Sequence, residues 1–213
     1  MLALLCSLFS ISYLHAQISK GSLFLGGNIG FYSSQTSGET SSLKYDQRNI
    51  SISPVIGKAV KENLFVGVNL LYAYTKYKQD VPGYAGTQAV NSYGAGVFIR
   101  KYKPIGKGFY IFLEGDLSGR YDKSNNSPTA NYNNYKRTSV ILGADPGISY
   151  AISKKLHLET GFNQIINVNY AHEKGDKTGT NNEPYKSNTF NLSTSLTSTF
   201  LNNVYLGFRL ILG

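Results

Sequence analysis

The sequence predicts an all-β fold, an eight-stranded antiparallel up-and-down barrel, on three observations. Eight segments alternate apolar and polar or small residues with period two, which places successive side chains on opposite faces of a sheet. No helical period competes with them after residue 17. The connections between the segments alternate short and long, the rhythm of hairpins whose turns lie at two different ends.

The first segment, Leu23 to Tyr32, sets Leu23, Leu25, Ile29 and Phe31 against Phe24, Gly26, Asn28, Gly30 and Tyr32. Arg48 to Lys58 sets Ile50, Ile52, Pro54 and Ile56 against Asn49, Ser51, Ser53, Val55 and Gly57. In Leu64 to Thr75, Val66, Val68, Leu70 and Tyr72 oppose Phe65, Gly67, Asn69, Leu71 and Ala73. Tyr93, Ala95, Val97 and Ile99 oppose Gly94, Gly96, Phe98, Arg100 and Tyr102. The fifth segment has the plainest division: Phe109, Ile111, Leu113 and Leu117 on one side, Tyr110, Phe112, Glu114, Asp116, Ser118 and Arg120 on the other. Val140, Leu142, Ala144 and Ile148 oppose Ile141, Gly143, Asp145, Gly147 and Ser149. Leu156, Leu158, Phe162, Ile166 and Val168 oppose His157, Glu159, Gly161, Asn163 and Asn167. The last segment sets Val204, Leu206, Phe208, Leu210 and Leu212 against Tyr205, Gly207 and Arg209. Phe190, Leu192, Leu196 and Phe200 share its parity, so one long final strand, or a strand preceded by an ordered loop segment, is expected there.

Short links fall near Val60 to Asn63, Lys103 to Gly108 and Ser153 to Lys155. Long polar stretches run from Ser34 to Gln47, Lys76 to Asn91, Asp122 to Lys136 and Ala171 to Asn188. Tight turns on one side and long loops on the other describe an outer-membrane barrel with periplasmic turns and extracellular loops.

Residues 1–16 read as a signal peptide and 17–213 as the barrel domain. Leu2 to Leu14 is an apolar run interrupted by serines, and His15-Ala16 before Gln17 offers a small-residue cleavage site. The run is shorter than the roughly 20 residues a spanning helix needs. Cleavage near Ala16-Gln17 removes Cys6, the single cysteine, so no disulfide staples the mature fold.

The formal charge is +9, from 21 Lys and Arg against 12 Asp and Glu, but the positive residues are scattered near strand ends instead of clustered. For an exported chain this argues against nucleic acid as a partner and fits a solvated rim that meets anionic lipid or lipopolysaccharide headgroups. The chain holds 17 Tyr and 11 Phe, rings suited to membrane interfaces.

The two faces differ in a way that decides which looks inward. One carries Arg100, Arg120 and Arg209 with Glu114, Asp116, Asp145 and Glu159, together with glycines that leave room for Phe24, Phe65, Phe98, Phe112 and Tyr205. Near-balanced charge and a mixture of large and small residues suit a narrow interior, where an unpaired ion is costly. These seven ionised residues are expected to form an internal stabilising network. The aliphatic face is then the lipid surface. In a soluble exported ligand-binding barrel, the alternative, the two faces would be exchanged.

With these residues in place the chain resembles the small eight-stranded outer-membrane barrels of the OmpA/OmpX-like class, and the resemblance covers everything after the signal. Its C-terminus also resembles the assembly signal of such barrels: Tyr205, Gly207, Leu210 and Leu212 stand at the polar, glycine and apolar positions, although Leu212 and Gly213 replace a terminal aromatic. The resemblance implies a monomer without cofactor, inserted by the barrel assembly machinery into the outer membrane of a diderm bacterium, with a structural or cell-surface interaction role, a narrow side-chain-filled interior and no open pore. Any specific partner is expected at the long loops.

No catalytic or metal constellation emerges. His157 shares a face with Glu159, a pattern more often a satisfied polar pair than a metal site. His172 and Glu173, where a strand meets a long loop, are the place a lipid-modifying barrel enzyme, the second alternative, would keep its base, but no serine stands in a recognisable relation to them.

Overall fold

The computed structural model describes residues 18–37, 44–81, 84–126, 134–162, 165–176, 184–194 and 204–213. They form a closed eight-stranded antiparallel barrel and contain no helix. The expected signal segment, together with Leu196 and Phe200, lies outside the described residues.

Six strands follow one another as hairpins: β1 (Leu23–Ser37), β2 (Lys44–Lys61), β3 (Leu64–Val81), β4 (Tyr84–Gly106), β5 (Phe109–Asn126) and β6 (Tyr135–Ala151). The seventh is in two pieces, β7 (Leu156–Phe162) and β8 (Ile166–Gly175), which pair with the lower and upper halves of β6. Between the registers Gly147↔Gly161 and Ala144↔Ile166, β6 advances three residues and the seventh strand five. Pro146, which has no N–H to offer a ladder, lies in the gap between these two registers, so the pairing is interrupted where it could not be made. Because the difference of two residues is even, the seventh strand keeps its inside-outside parity.

The eighth strand is also in two pieces. β9 (Tyr185–Thr194) pairs with β8, while β10 (Val204–Leu212) pairs with β7 and closes the barrel on β1 from Leu23↔Leu212 to Gly26↔Arg209. Above Gly26, β1 pairs with β2 alone among the described residues.

The polar stretches expected as long loops are largely paired strand. β3 and β4 stay in register from Lys76↔Ala89 up to Val81↔Tyr84, and β5 and β6 pair to Lys123↔Lys136. Ser, Thr, Asn and Lys read as loop by composition, yet backbone pairing asks nothing of the side chain once the hairpin below has set the register. The barrel wall therefore continues beyond its apolar belt. At the other end the turns are tight: Asn63 (φ 57°) and Lys107 (φ 50°) take the left-handed conformation that reverses the chain.

Side chains sort as the alternation requires. Phe24, Phe65, Phe98, Tyr102, Tyr110 and Phe112 are buried inside, joined by Ile18 and Ile211. Their rings meet at 5.2 Å (Phe24–Phe65), 5.6 Å (Tyr102–Phe112) and 5.9 Å (Phe65–Tyr102) between centroids. This aromatic plug fills the short-turn half of the barrel. Glycine makes the space for it, since a Cβ on Gly67 would stand 2.6 Å from the Phe98 ring and one on Gly147 would run into Phe112. Ile18 is held over the plug by Asn63, whose Oδ1 accepts from the Ile18 N–H at 3.2 Å while the Asn63 N–H donates to the Ile18 carbonyl at 3.1 Å.

Candidate functional site

The interior has three levels above the turns. The first is an ion network set into the aromatic plug. Arg100 on β4 donates from Nε to Glu114 Oε2 on β5 at 2.6 Å and from Nη1 to Glu159 Oε2 on β7 at 2.7 Å. Glu159 is wholly buried, and its second oxygen accepts from the Tyr102 hydroxyl at 2.5 Å. Arg209 on β10 brings Nε to 3.3 Å from Glu159 Oε2, without hydrogen-bond geometry, and donates from Nη1 to the Gly27 and Phe208 carbonyls. Gly26 permits this crossing, because a Cβ there would collide with the Arg209 side chain. The Arg100 guanidinium also lies 4.5 Å from the Phe112 ring centroid and 5.1 Å from that of Phe24, where the ring faces take up part of its charge.

The second level is a cavity of about 340 Å³ directly above, lined by Asp116, Ser118 and Arg120 from β5, Asp145 from β6, Asn28 from β1 and Tyr205 from β10, with the network as its floor. The interior is thus filled at the turn end and hollow in the middle. The third level is the mouth. Arg120 donates from Nε to Asp122 Oδ1 at 2.7 Å and from Nη2 to Ser92 Oγ at 3.0 Å. On the adjacent strands Arg137, opposite Asp122, donates from Nε to Glu173 Oε2 at 2.7 Å, and the Tyr185 hydroxyl donates to Glu173 Oε1 at 2.5 Å. A second cavity of about 340 Å³ lies among these groups.

Of the seven ionised residues singled out from sequence, four meet in one buried network: Arg100, Glu114, Glu159 and Arg209. Asp116 and Asp145 line the cavity above it. Arg120 does not join them; it stands six residues up β5 from Glu114, about 20 Å along a strand, and takes Asp122 as its partner. Tyr102 joins the network and Asp122 pairs with Arg120, neither singled out from sequence. Both share the parity of the arginines two residues away on the same strand, which was the available signal. His157 is hydrogen-bonded to Ser149, Nδ1 to Oγ at 3.1 Å, instead of to Glu159, whose oxygens are taken by Arg100 and Tyr102.

Burial, joined by the hydrogen bond to Glu173, pushes the Tyr185 phenol at the mouth up to about 12. A folded value above the unfolded one, about 10, keeps this contribution intact below pH 10 and removes it as the pH rises through 12. Ultraviolet titration of the folded protein should therefore lose one late-ionising phenol on Tyr185→Phe, and an unchanged titration would contradict the assignment.

On the outer wall, His172 faces outward and holds Asn188 Oδ1 from Nδ1 at 2.7 Å, with no serine in that contact. No group of three or more His, Cys, Asp or Glu could hold a metal among the described residues. In β10, Tyr205, Gly207 and Arg209 turn inward while Leu206, Phe208 and Leu210 are exposed outward, so the terminal motif forms a ladder with β1 and β7. Neither the protein-family models nor the curated proteins compared with the sequence match this chain.

Proposed function

We propose that this chain is an integral outer-membrane barrel with a structural or cell-surface interaction role, of the small OmpA/OmpX-like kind. One observation carries the reading: the barrel is inverted relative to a water-soluble one. Large apolar side chains stand exposed all round the wall, among them Ile52, Val68, Val97, Leu117, Leu142, Phe190 and Phe208, while the paired ions lie inside. A soluble monomer rarely exposes a contiguous apolar patch of more than a few hundred Å². On β5 the belt runs from Ile111 to Tyr121, eleven residues, which at a tilt of about 40° spans about 25 Å, the height of the apolar band in such barrels. Tyr72 and Tyr93, 5.5 Å apart, and Tyr121 stand at its upper rim; Phe109 and Tyr150, 4.6 Å apart, stand at its lower one. Rings at both borders suit the headgroup level.

The outer mouth, with its wall of polar strand, is where such a protein would meet partners. The lipid surround, lipopolysaccharide headgroups and the assembly machinery follow from the same reading, as does export by the segment 1–16. Protein folded in detergent should migrate differently on gels before and after boiling and show a β-type circular dichroism spectrum; full solubility without detergent would overturn the proposal. Orientation has its own test. A membrane-impermeant amine reagent applied to intact cells should label Lys123, Lys136 and Lys174 and spare Lys154 and Lys155, and the opposite pattern would place the turns outside.

A further inference from the structure

We propose that the mouth of the barrel is a binding site for a small neutral polyhydroxylated ligand, a mono- or disaccharide. The site is the cavity of about 340 Å³ between β5, β6, β8 and β9, within the range of about 300–1,000 Å³ common for small-molecule pockets. It adjoins the cavity below, with which it shares Arg120 and Ile141, so the two together can take a second ring.

The chemistry of the lining selects the class. Its charges are already matched in pairs, Arg120 with Asp122 and Arg137 with Glu173. Both Glu173 oxygens are engaged, one by Arg137 and one by Tyr185. An anionic or cationic ligand would have to break one of these pairs, whereas a neutral one need not. Beside the pairs stand Ser139, Asn169, Ser187 and Thr189, short hydroxyl and amide groups that both donate and accept. Asn169 supplies a separate indication: it lines the cavity, and its Oδ1 is buried and meets no hydrogen-bond donor among the described residues. A buried acceptor without a donor is costly, and rotation about the last side-chain torsion, a broad two-fold well, presents either end of this amide to the cavity. A sugar hydroxyl, donor and acceptor at once, satisfies whichever end it meets. The lining offers little apolar surface for a hydrophobic ligand, with Ile141 and Ala171 alone contributing aliphatic groups.

The inference rests on the membrane reading only for the side from which the ligand arrives. The experiment uses the full mature chain folded in a sugar-free amine-oxide detergent, with heat-modifiable migration recorded on the same sample. Glucose, galactose, maltose and lactose are titrated by saturation-transfer NMR, with glucose 6-phosphate and glucosamine as charged counterparts. Saturable binding of at least one neutral sugar, tighter than that of its charged counterpart, is expected. Asn169→Leu should weaken it about tenfold, the loss of one hydrogen bond to a buried group, while gel migration stays unchanged. Ser187→Ala at the rim provides a second, milder variant should Asn169→Leu fail to fold. No saturable binding by any neutral sugar, preference for a charged one, or binding indifferent to both variants would overturn the site. A barrel that binds sugar but needs no detergent would instead overturn the membrane reading and leave this one standing.

Discussion

Replacing Glu159 with Gln should produce the largest loss of stability available to a single side chain in this barrel. The four-residue network is electrically balanced, two arginines against two carboxylates. Glu159 is its hub, reached by Arg100, Arg209 and Tyr102 and shielded fully from solvent. Gln keeps the shape but leaves Arg209, whose Nε has no other partner among the described residues, as a buried cation facing a neutral amide. Breaking a buried pair by removing one member costs about 3–5 kcal/mol, mostly the price of stranding the other charge. Urea titration of the detergent-folded protein, followed by the gel shift, should register that loss. The double variant Glu159→Gln with Arg209→Met removes both charges together and should recover a substantial part of it, because a buried pair is worth little more than an apolar replacement of similar volume. A single variant within 1 kcal/mol of the parent, on the scale of ordinary surface changes, would show that water reaches these ions and that the network carries no weight.

Leu117→Arg is expected to be nearly as severe, for the opposite reason. Leu117 stands near the middle of the belt, beside Val97 on β4 and Leu142 on β6, with its side chain 48% exposed on the outer wall. At the midplane of a bilayer an arginine on the lipid face costs about 2–4 kcal/mol, falling to about 0–1 kcal/mol near the interfaces. Ile105, 56% exposed at the turn end of β4, is the matched control, and Ile105→Arg should be nearly silent. Folding into lipid vesicles with urea titration reads both. In a water-soluble barrel the two positions would behave alike and each change would cost a few tenths of a kcal/mol. Equal, small effects would therefore reject the bilayer as the solvent of this surface.

The difference between these two substitutions marks how far local sequence reaches. Strand number, hairpin order and the face of the apolar residues in the eight segments were legible because a strand's side chains alternate whatever the strand pairs with. Ile111, Leu113 and Leu117 point outward for the same reason that Phe112 and Glu114 point inward. The short turns at Asn63 and Lys107 were legible too, from the close spacing of alternating segments on either side. Composition was a poorer guide at the top of the barrel: Lys76 to Asn91 reads as loop, yet it is almost wholly a hairpin, since register propagates upward from the belt. Phe190 and Leu192 carried the parity of the last strand, but nothing local said that they would pair with Val168 and Tyr170 while Val204 to Leu210 paired with the piece below.

Which ions on different strands would meet lay beyond parity. Arg100, Arg120 and Arg209 share a face, but period two gives only the side of the sheet, not height around a tilted, staggered wall. The register of β10 on β7 sets Gly207 opposite Glu159, two residues from Arg209, Gly26 on β1 leaves room for the Arg209 side chain, and the register of β4 on β5 sets Arg100 opposite Glu114. Arg120 finds Asp122 two residues up its own strand, and a polar cavity is left between the two levels. Inside and outside were thus determined by the sequence alone, through alternation. Partnership between strands and empty space were decided only by the tertiary structure, because both depend on the stagger between strands that are neighbours in the barrel, some of them far apart in the chain.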